Sequence, residues 1–403
     1  MSTSLLYHGF SVRGYQYVRT QYIDGEVRFT VQQCRESLRC SVCGSAKVHP
    51  HGAQARDFRT LPIGSKAVFV KLAIPRVYCD PCGVTRQVKV AFADPRRSYT
   101  KAFERYALEL SQRMTIRDVA NHLHVGWDMI KDIQKRHLTR HFAKPKLKRV
   151  REIAIDEISV SKGHRYLTVV LDLVTGAVIF VGDGKGADAL KPFWKRLRGS
   201  GARIKVVAMD MSPAYREAVS TALPRAKIVF DRFHVMKLFN DKISDLRRSL
   251  YHRANEHQKK VLKGSRWLLL KAAENLDPER DERARLKEAL RLNKPLATAY
   301  YLKEELRQFW QQPGRKFAGL FLKGWLRRAR ASGIRTLIQM AETLERHRSG
   351  LLAYYRYPVS TGPLEGTNNK IKTMKRQAYG FRDHEFFKLK ILGIHKSRYA
   401  LVG

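Results

Sequence analysis

The chain has 403 residues, enough for roughly two to four domains with real buried cores. Its 78 lysines and arginines against 36 acidic residues give a formal net charge of +42, spread over every third of the sequence. That balance calls for a polyanion, and nucleic acid comes first because each neutralised phosphate releases a counterion. A membrane partner is not expected, since no apolar run of about 18 residues and no long basic amphipathic helix is present. The start, "MSTSLLYHGFSVRGYQ", lacks the basic and apolar regions of a signal peptide, so a cytoplasmic, reduced protein is expected.

In chain order, the first signal is a pair of knuckles, Cys40/Cys43 in "CSVC" and Cys79/Cys82 in "CDPC", separated by 35 residues. Four thiolates at this spacing can close a tetrahedral Zn²⁺ site. Gly44 and Gly83 follow the knuckles and let the backbone turn back. "KAVFVKLAIPRVYC" reads as strand leading into the second knuckle, so residues 36–91 are expected to form a zinc-ribbon-like module. Cys34 is left over.

After the polar break "FADPRRSYT", apolar residues recur at helical spacing, with Ile116, Val119, Ala120 and Leu123 on one face. The pattern pauses at "HVG" and resumes through Trp127, Ile130 and Ile133. Two helices about a tight glycine-containing turn predict a helix-turn-helix over 99–142, its second helix presenting Asp128, Lys131 and Lys135 to DNA. "KPKLKRVR" then reads as a basic tether lying along phosphates.

From residue 150 the composition becomes β-rich. Strands are predicted at 152–161, 166–174 and 177–184, with Thr175 and Gly176 turning the last hairpin. A helix, a strand at 204–210, another helix and a strand at 226–231 come next. Three antiparallel strands followed by α-β-α-β is the order of a ribonuclease-H-like α/β fold. Residues 150–240 are its first part and 241–354, helical and charged, an all-α insertion. Residues 355–400 are its last part. Trp194, Trp267, Trp310 and Trp325 read as core rather than as base-stacking platforms.

Three carboxylates stand out. Asp156 lies within the first strand of this fold, where an unpaired charge is costly. Asp210 ends the fourth, at the edge where open α/β sheets hold ligands. Glu365 falls in "PLEGTNNKIK", in the first turn of a later helix that Pro363 can open. Their convergence suits Mg²⁺ or Mn²⁺. On that helix Asn368, Lys372 and Arg376 are expected to share the face of Glu365 and to grip the DNA backbone. Glu157 and Asp172 are explained equally well as surface and hairpin residues.

"IAIDEISVSKGHRYLTVVLDLVTGAVIFV", "VVAMDMSPAYREAV", "AKIVFDRFHVMKLFN" and "STGPLEGTNNKIKTMKRQAYGFRD" resemble the DDE transposases of bacterial insertion sequences, specifically the ISL3 family. The resemblance extends over nearly the whole chain, knuckles and helix-turn-helix included. It implies that Asp156, Asp210 and Glu365 are the catalytic triad. It also implies that Asp231 and His234 form a D-x-x-H motif beside the site, with His234 expected to orient a scissile phosphate or a flanking base by hydrogen bonding. Asp210 is preferred to Asp231 as the second aspartate, because the fourth strand neighbours the first. The resemblance further implies a nucleoid-associated bacterial enzyme that binds terminal inverted repeats and target DNA and works at least as a dimer. Such an enzyme cuts by metal-dependent hydrolysis and transesterification. The alternative is a catalytically inactive, domesticated DNA-binding regulator.

Overall fold

A computed structural model describes residues 4–161 and 165–395, and residues 396–400 of the predicted last segment lie outside them. The chain divides into two compact units, Met1–His141 and Phe142–Gly403.

In the first unit a short helix, α1 (Leu5–His8), precedes the antiparallel hairpin β1 (Tyr15–Ile23) and β2 (Glu26–Gln33). Two long strands come next, β3 (Val48–Ile63) and β4 (Lys66–Cys79), with β5 (Val84–Gln87) paired to β4. The strands order as β1-β2-β4-β3. Alternation along β4 sends Val68, Val70, Leu72 and Ile74 into a core shared with Phe29, Val31 and Phe58. The predicted strand before the second knuckle is therefore present. The β1–β2 hairpin is not among the expected elements, although Asp24-Gly25 (φ 50° and 76°) makes its turn and Val27, Phe29 and Val31 alternate inward along β2; β1 itself is an edge strand, mostly exposed and without clean alternation.

The predicted helical segment forms α2 (Lys101–Leu110), α3 (Ile116–His122) and α4 (Trp127–Phe142) around Phe103, Val119, Leu123, Ile130 and Ile133. Thr115 and Asp118 close a capping box at the start of α3. In the turn between α3 and α4 it is His124, at φ 49°, that takes the left-handed conformation, and not Gly126. Arg59 on β3 joins the sheet to these helices. Its buried guanidinium donates to the carbonyls of Val68 (3.1 Å) and of Leu123 (3.0 Å), and it lies over the Phe69 and Phe103 rings.

The second unit opens at the end of α4 and continues through the predicted tether, Lys144 to Arg151. Its lysines face solvent, but Leu147 and Val150 are buried in the unit's core, so the segment is anchored to the domain it precedes. The sheet is β6 (Glu152–Ser161), β7 (Arg165–Asp172), β8 (Val178–Asp183), β9 (Val206–Met209) and β10 (Lys227–Phe230). Its order is β10-β9-β6-β7-β8, with β6, β9 and β10 parallel and β7 and β8 antiparallel, which is the predicted ribonuclease-H-like topology. Asp172, as the hairpin reading allowed, accepts from the backbone and hydroxyl of Thr175.

Helices α5 (Ala187–Ser200) and α6 (Pro213–Ala222) supply the crossovers. α7 (Arg232–His252) then runs unbroken past residue 240 into the insertion. There α8 (Glu256–Gly264), α9 (Arg266–Leu270), α10 (Glu282–Leu292) and α11 (Lys294–Arg307) are succeeded by α12 (Arg315–Ala331), α13 (Arg335–Arg346) and α14 (Arg348–Ala353). The chain returns through α15 (Gly362–Gln377) and α16 (His384–Leu392).

The sheet separates two cores. On one face Ile153, Ile155, Val207 and Phe230 pack with α5, α6, α7 and the insertion. On the other Ala154, Ile158, Val169 and Ala208 pack under Leu364 and Ile371 of α15 and Phe387 and Ile391 of α16. Trp194, Trp310 and Trp325 are buried as expected. Trp267 is not: it is 65% exposed, with the Arg266 guanidinium 4.7 Å from its ring centre.

Candidate active site, zinc centre and nucleic-acid interface

The zinc knuckles meet because β3 and β4 pair down to Val48 opposite Cys79. Gly44 (φ 77°) and Gly83 (φ 65°) fold each knuckle back, with Gly44 N–H donating to Cys40 C=O and Gly83 N–H to Cys79 C=O. The sulfurs of Cys40, Cys43, Cys79 and Cys82 all lie within 4.8 Å of one another. The backbone amides of Cys43 and Val42 draw the Cys40 thiol down to about 6, while contact with Cys43 and burial push Cys82 up to about 12. Thiols so crowded resist ionising together unless a cation sits among them, and four sulfur donors fit a structural Zn²⁺.

At the other centre, strand register brings the aspartates together. β6 and β9 pair as Glu152 with Val206, Ile153 with Val207 and Ala154 with Ala208. Continued by two residues, the register sets Asp156 opposite Asp210, where β9 has just ended. β10 pairs Phe230 with Met209, so Asp231 falls next in the row, its N–H 3.3 Å from Met209 C=O. Asp210 and Asp231 follow the carboxyl ends of β9 and β10, and Asp156 lies midway along β6, just past the end of its pairing with β9.

Asp156 points to the α15 face. Its Oδ1 accepts from Glu157 N–H (2.8 Å) and its Oδ2 from the Asn368 amide (2.7 Å). Burial raises its pKa and nearby Asp210 adds to this, whereas His234 in the first turn of α7 acts in the opposite sense. Asp210 accepts from Ser212 N–H (3.0 Å), which fixes the turn into α6. Glu157 points to the opposite face, toward Tyr215, and its pKa is raised by burial and by Asp210. It is a further carboxylate beside Asp210 that sequence reasoning set aside. Neighbouring strand residues face opposite ways, but Asp210 lies beyond its strand and is approached from both sides.

Asn368 corrects the predicted helix face. It is buried with Leu364, Thr367 and Ile371, while Glu365, Lys372 and Arg376 are exposed. Its amide is therefore turned inward to Asp156 and is not presented to a DNA backbone. Glu365 lines a cavity of about 340 Å³ together with Asp231, Asn240 and Lys303. Among the described residues Asp156, Asp210 and Glu365 do not form one metal-holding cluster; the group that does is the four cysteines. Asp231 stands at the N-cap of α7 without capping it, buried, its Oδ2 without a hydrogen-bond partner.

On α4, Asp128 is exposed and Lys131 and Lys135 are half-buried, with the Lys131 ammonium 5.2 Å from the centre of the exposed Trp127 ring.

Comparison with known proteins assigns each region in turn. Residues 36–82 match the zinc-finger of transposases IS204/IS1001/IS1096/IS1165, residues 88–138 the helix-turn-helix domain of transposase family ISL3, and residues 153–391 the ISL3 DDE transposase domain. This is the organisation of a DNA-binding, DNA-cleaving transposition enzyme. The chain belongs to the ISL3 family of insertion-sequence transposases. It is 34% identical over 360 residues to the transposase for insertion sequence element IS1001 of Bordetella parapertussis, covering 88% of each chain. It is 28% identical over 370 residues to the transposase for insertion sequence element IS1557 of Mycobacterium tuberculosis, covering 85% of this chain and 82% of that one. The solved Drosophila P element transposase strand transfer complex aligns at a TM-score of 0.39 and 10% identity, over 75% of this chain and 94% of that one. No helix among the described residues is long and apolar enough to cross a membrane.

Proposed function

We propose that the protein binds the terminal inverted repeats of its own insertion sequence, cuts the DNA at the element's ends and joins the freed 3′ ends to target DNA. The observation that carries this reading is the register that sets Asp156 opposite Asp210, with the helix of Glu365 already bonded to Asp156 through Asn368.

Two like charges, one drawn out of water, favour a dication between them, and the hard oxygen donors suit Mg²⁺ or Mn²⁺. Glu365 is the proposed third ligand, completing the set by a shift of the first turn of α15. Bound there, the metal supplies electrostatic stabilisation to the attacking and leaving oxygens. The chain's own residues position the DNA. His234, with Asp231 in the same motif, orients the scissile phosphate, and Lys372 and Arg376 hold the flanking backbone. Lys131 and Lys135 carry α4 into the major groove of the end sequence. Joining two ends to one target calls for at least a dimer.

The test incubates purified protein with labelled DNA carrying the element's ends, in Mg²⁺, in Mn²⁺ or in chelator. Cleavage is expected at the element boundary with metal only. Asp156→Asn, Asp210→Asn and Glu365→Gln should each reduce it by at least about 100-fold while end binding persists. Cleavage that survives Asp210→Asn but is lost in Asp231→Asn would transfer the second aspartate to Asp231. Normal cleavage by Glu365→Gln would remove it from the set.

A further inference from the structure

Beyond Asp156, β6 and α15 leave a cavity of about 490 Å³ between them. Its floor is apolar, formed by Ile158, Val160, Ile371 and Phe387, all buried. Its rim is basic, with Lys372, Lys375 and Arg376 one after another along α15. A floor that excludes water beneath three cations suits a ligand with a flat apolar body and anionic flanks, as a nucleotide in a strand has.

The end of α15 adds an independent observation. Gly380 N–H donates to Lys375 C=O (2.9 Å) and Tyr379 N–H to Arg376 C=O (3.0 Å), the paired bonds of a Schellman cap. The left-handed position of that cap is commonly glycine, yet here it is Tyr379, at φ 50°. Gly380 comes one place later. The Tyr379 side chain receives no burial in return, since the residue is 101% exposed at the cavity's edge. Next to it Phe381 stacks on Phe387 with ring centres 4.5 Å apart, fixing that wall. A backbone conformation unfavourable to tyrosine, holding an aromatic ring in solvent beside an apolar slot, points to a ligand that covers the ring.

We infer that this cavity is a nucleotide subsite: one unpaired base of the DNA strand lodges between its apolar floor and the Tyr379 ring, with the flanking phosphates on Lys372, Lys375 and Arg376. The inference rests on the proposed DNA-cleavage reading and adds where the strand leaves the carboxylates. From Asn368, which touches Asp156, to Arg376 is eight residues, about 12 Å of helix. That equals roughly three to four rises of 3.4 Å in a DNA strand, so the extruded base lies about that many nucleotides from the scissile phosphate.

The test places 2-aminopurine singly at each of the first six positions on either side of the cleavage site, in either strand. Fluorescence of full-length protein bound to the end DNA is read in chelator, so the signal does not depend on cutting. A change from free duplex is expected at one position and is expected to be lost in Tyr379→Gly. That variant is chosen because glycine suits the left-handed cap: its melting temperature should hold or rise, so lost signal cannot be unfolding. With Mg²⁺, Tyr379→Gly should cleave about 10- to 100-fold more slowly and Tyr379→Phe nearly as wild type. A mismatch at the reporting position alone should restore part of the loss, because the unpairing cost is already met. No fluorescence change at any position, or a change that persists in Tyr379→Gly, overturns the subsite. End DNA that is bound but never cut overturns the cleavage reading instead, and the fluorescence then decides the subsite by itself.

Discussion

At the scale of single residues, Asn368 most changes the picture of the site. Its Nδ2 donates to Asp156, while its Oδ1 is buried without a hydrogen-bond partner. On the proposal that Asp156 holds the metal, the side chain that orients it should matter by about 10- to 100-fold. Asn368→Ala should therefore slow cleavage by about 10- to 100-fold and raise the Mg²⁺ needed for half-maximal rate, with end affinity unchanged in a gel-shift titration. Asn368→Asp, which opposes two carboxylates, should be the more damaging. The sequence singles the residue out but assigns it the wrong face. Steps of three, four and four along a helix that turns about 100° per residue leave Asn368 roughly 60° from Glu365 and only about 40° from the buried Leu364. Asp156 is the easier case, since a charge inside an apolar strand is conspicuous. Glu157 beside it is not, because alternation alone cannot tell that Asp210 is reached from both faces of the sheet.

Among the elements, those with buried surface on both sides are the most legible. β6, β7 and β9 lie within a sheet covered on both faces, and their nearly continuous apolar runs mark them. The β1–β2 hairpin, half in solvent, leaves a shorter trace, the Asp24-Gly25 turn and the alternation of Val27, Phe29 and Val31. Elements also meet where sequence gives no warning. A β-carbon on Gly350 of α14 would collide with the Phe230 ring on β10, so Gly350→Ala should lower stability by about 1–3 kcal/mol in denaturant melts. The zinc ribbon is held differently, by its sulfurs at the ends of β3 and β4. Chelation of the metal, or Cys40→Ser, should speed hydrogen exchange through Val48–Ile63 and Lys66–Cys79 while leaving β6 to β10 protected.

For the whole molecule, the sequence makes the domain order and the polyanionic partner plain, because charge and chain order need no knowledge of contacts. It does not reveal the union of the catalytic sheet and the helical insertion in one core, which depends on which side of the sheet each helix covers. The charge of +42 has a measurable consequence. If six to ten phosphates are neutralised, affinity for DNA of unrelated sequence should fall by about 10³- to 10⁵-fold between 50 and 200 mM salt. Affinity for the element's ends should keep the same slope but a higher intercept in a filter-binding series, since base contacts add to it without releasing counterions.

The bond between Asn368 and Asp156 joins residues 212 positions apart. On a ribosome adding about 5–20 residues per second, the aspartate emerges roughly 10–40 seconds before the amide that holds it. The whole insertion is synthesised in that interval, and Glu365 leaves the ribosome only at its end. A nascent or truncated chain can thus fold its DNA-reading modules well before it has a cutting centre. On the proposed assignment of Asp156 and Glu365, the detour through the insertion would complete the cutting centre last.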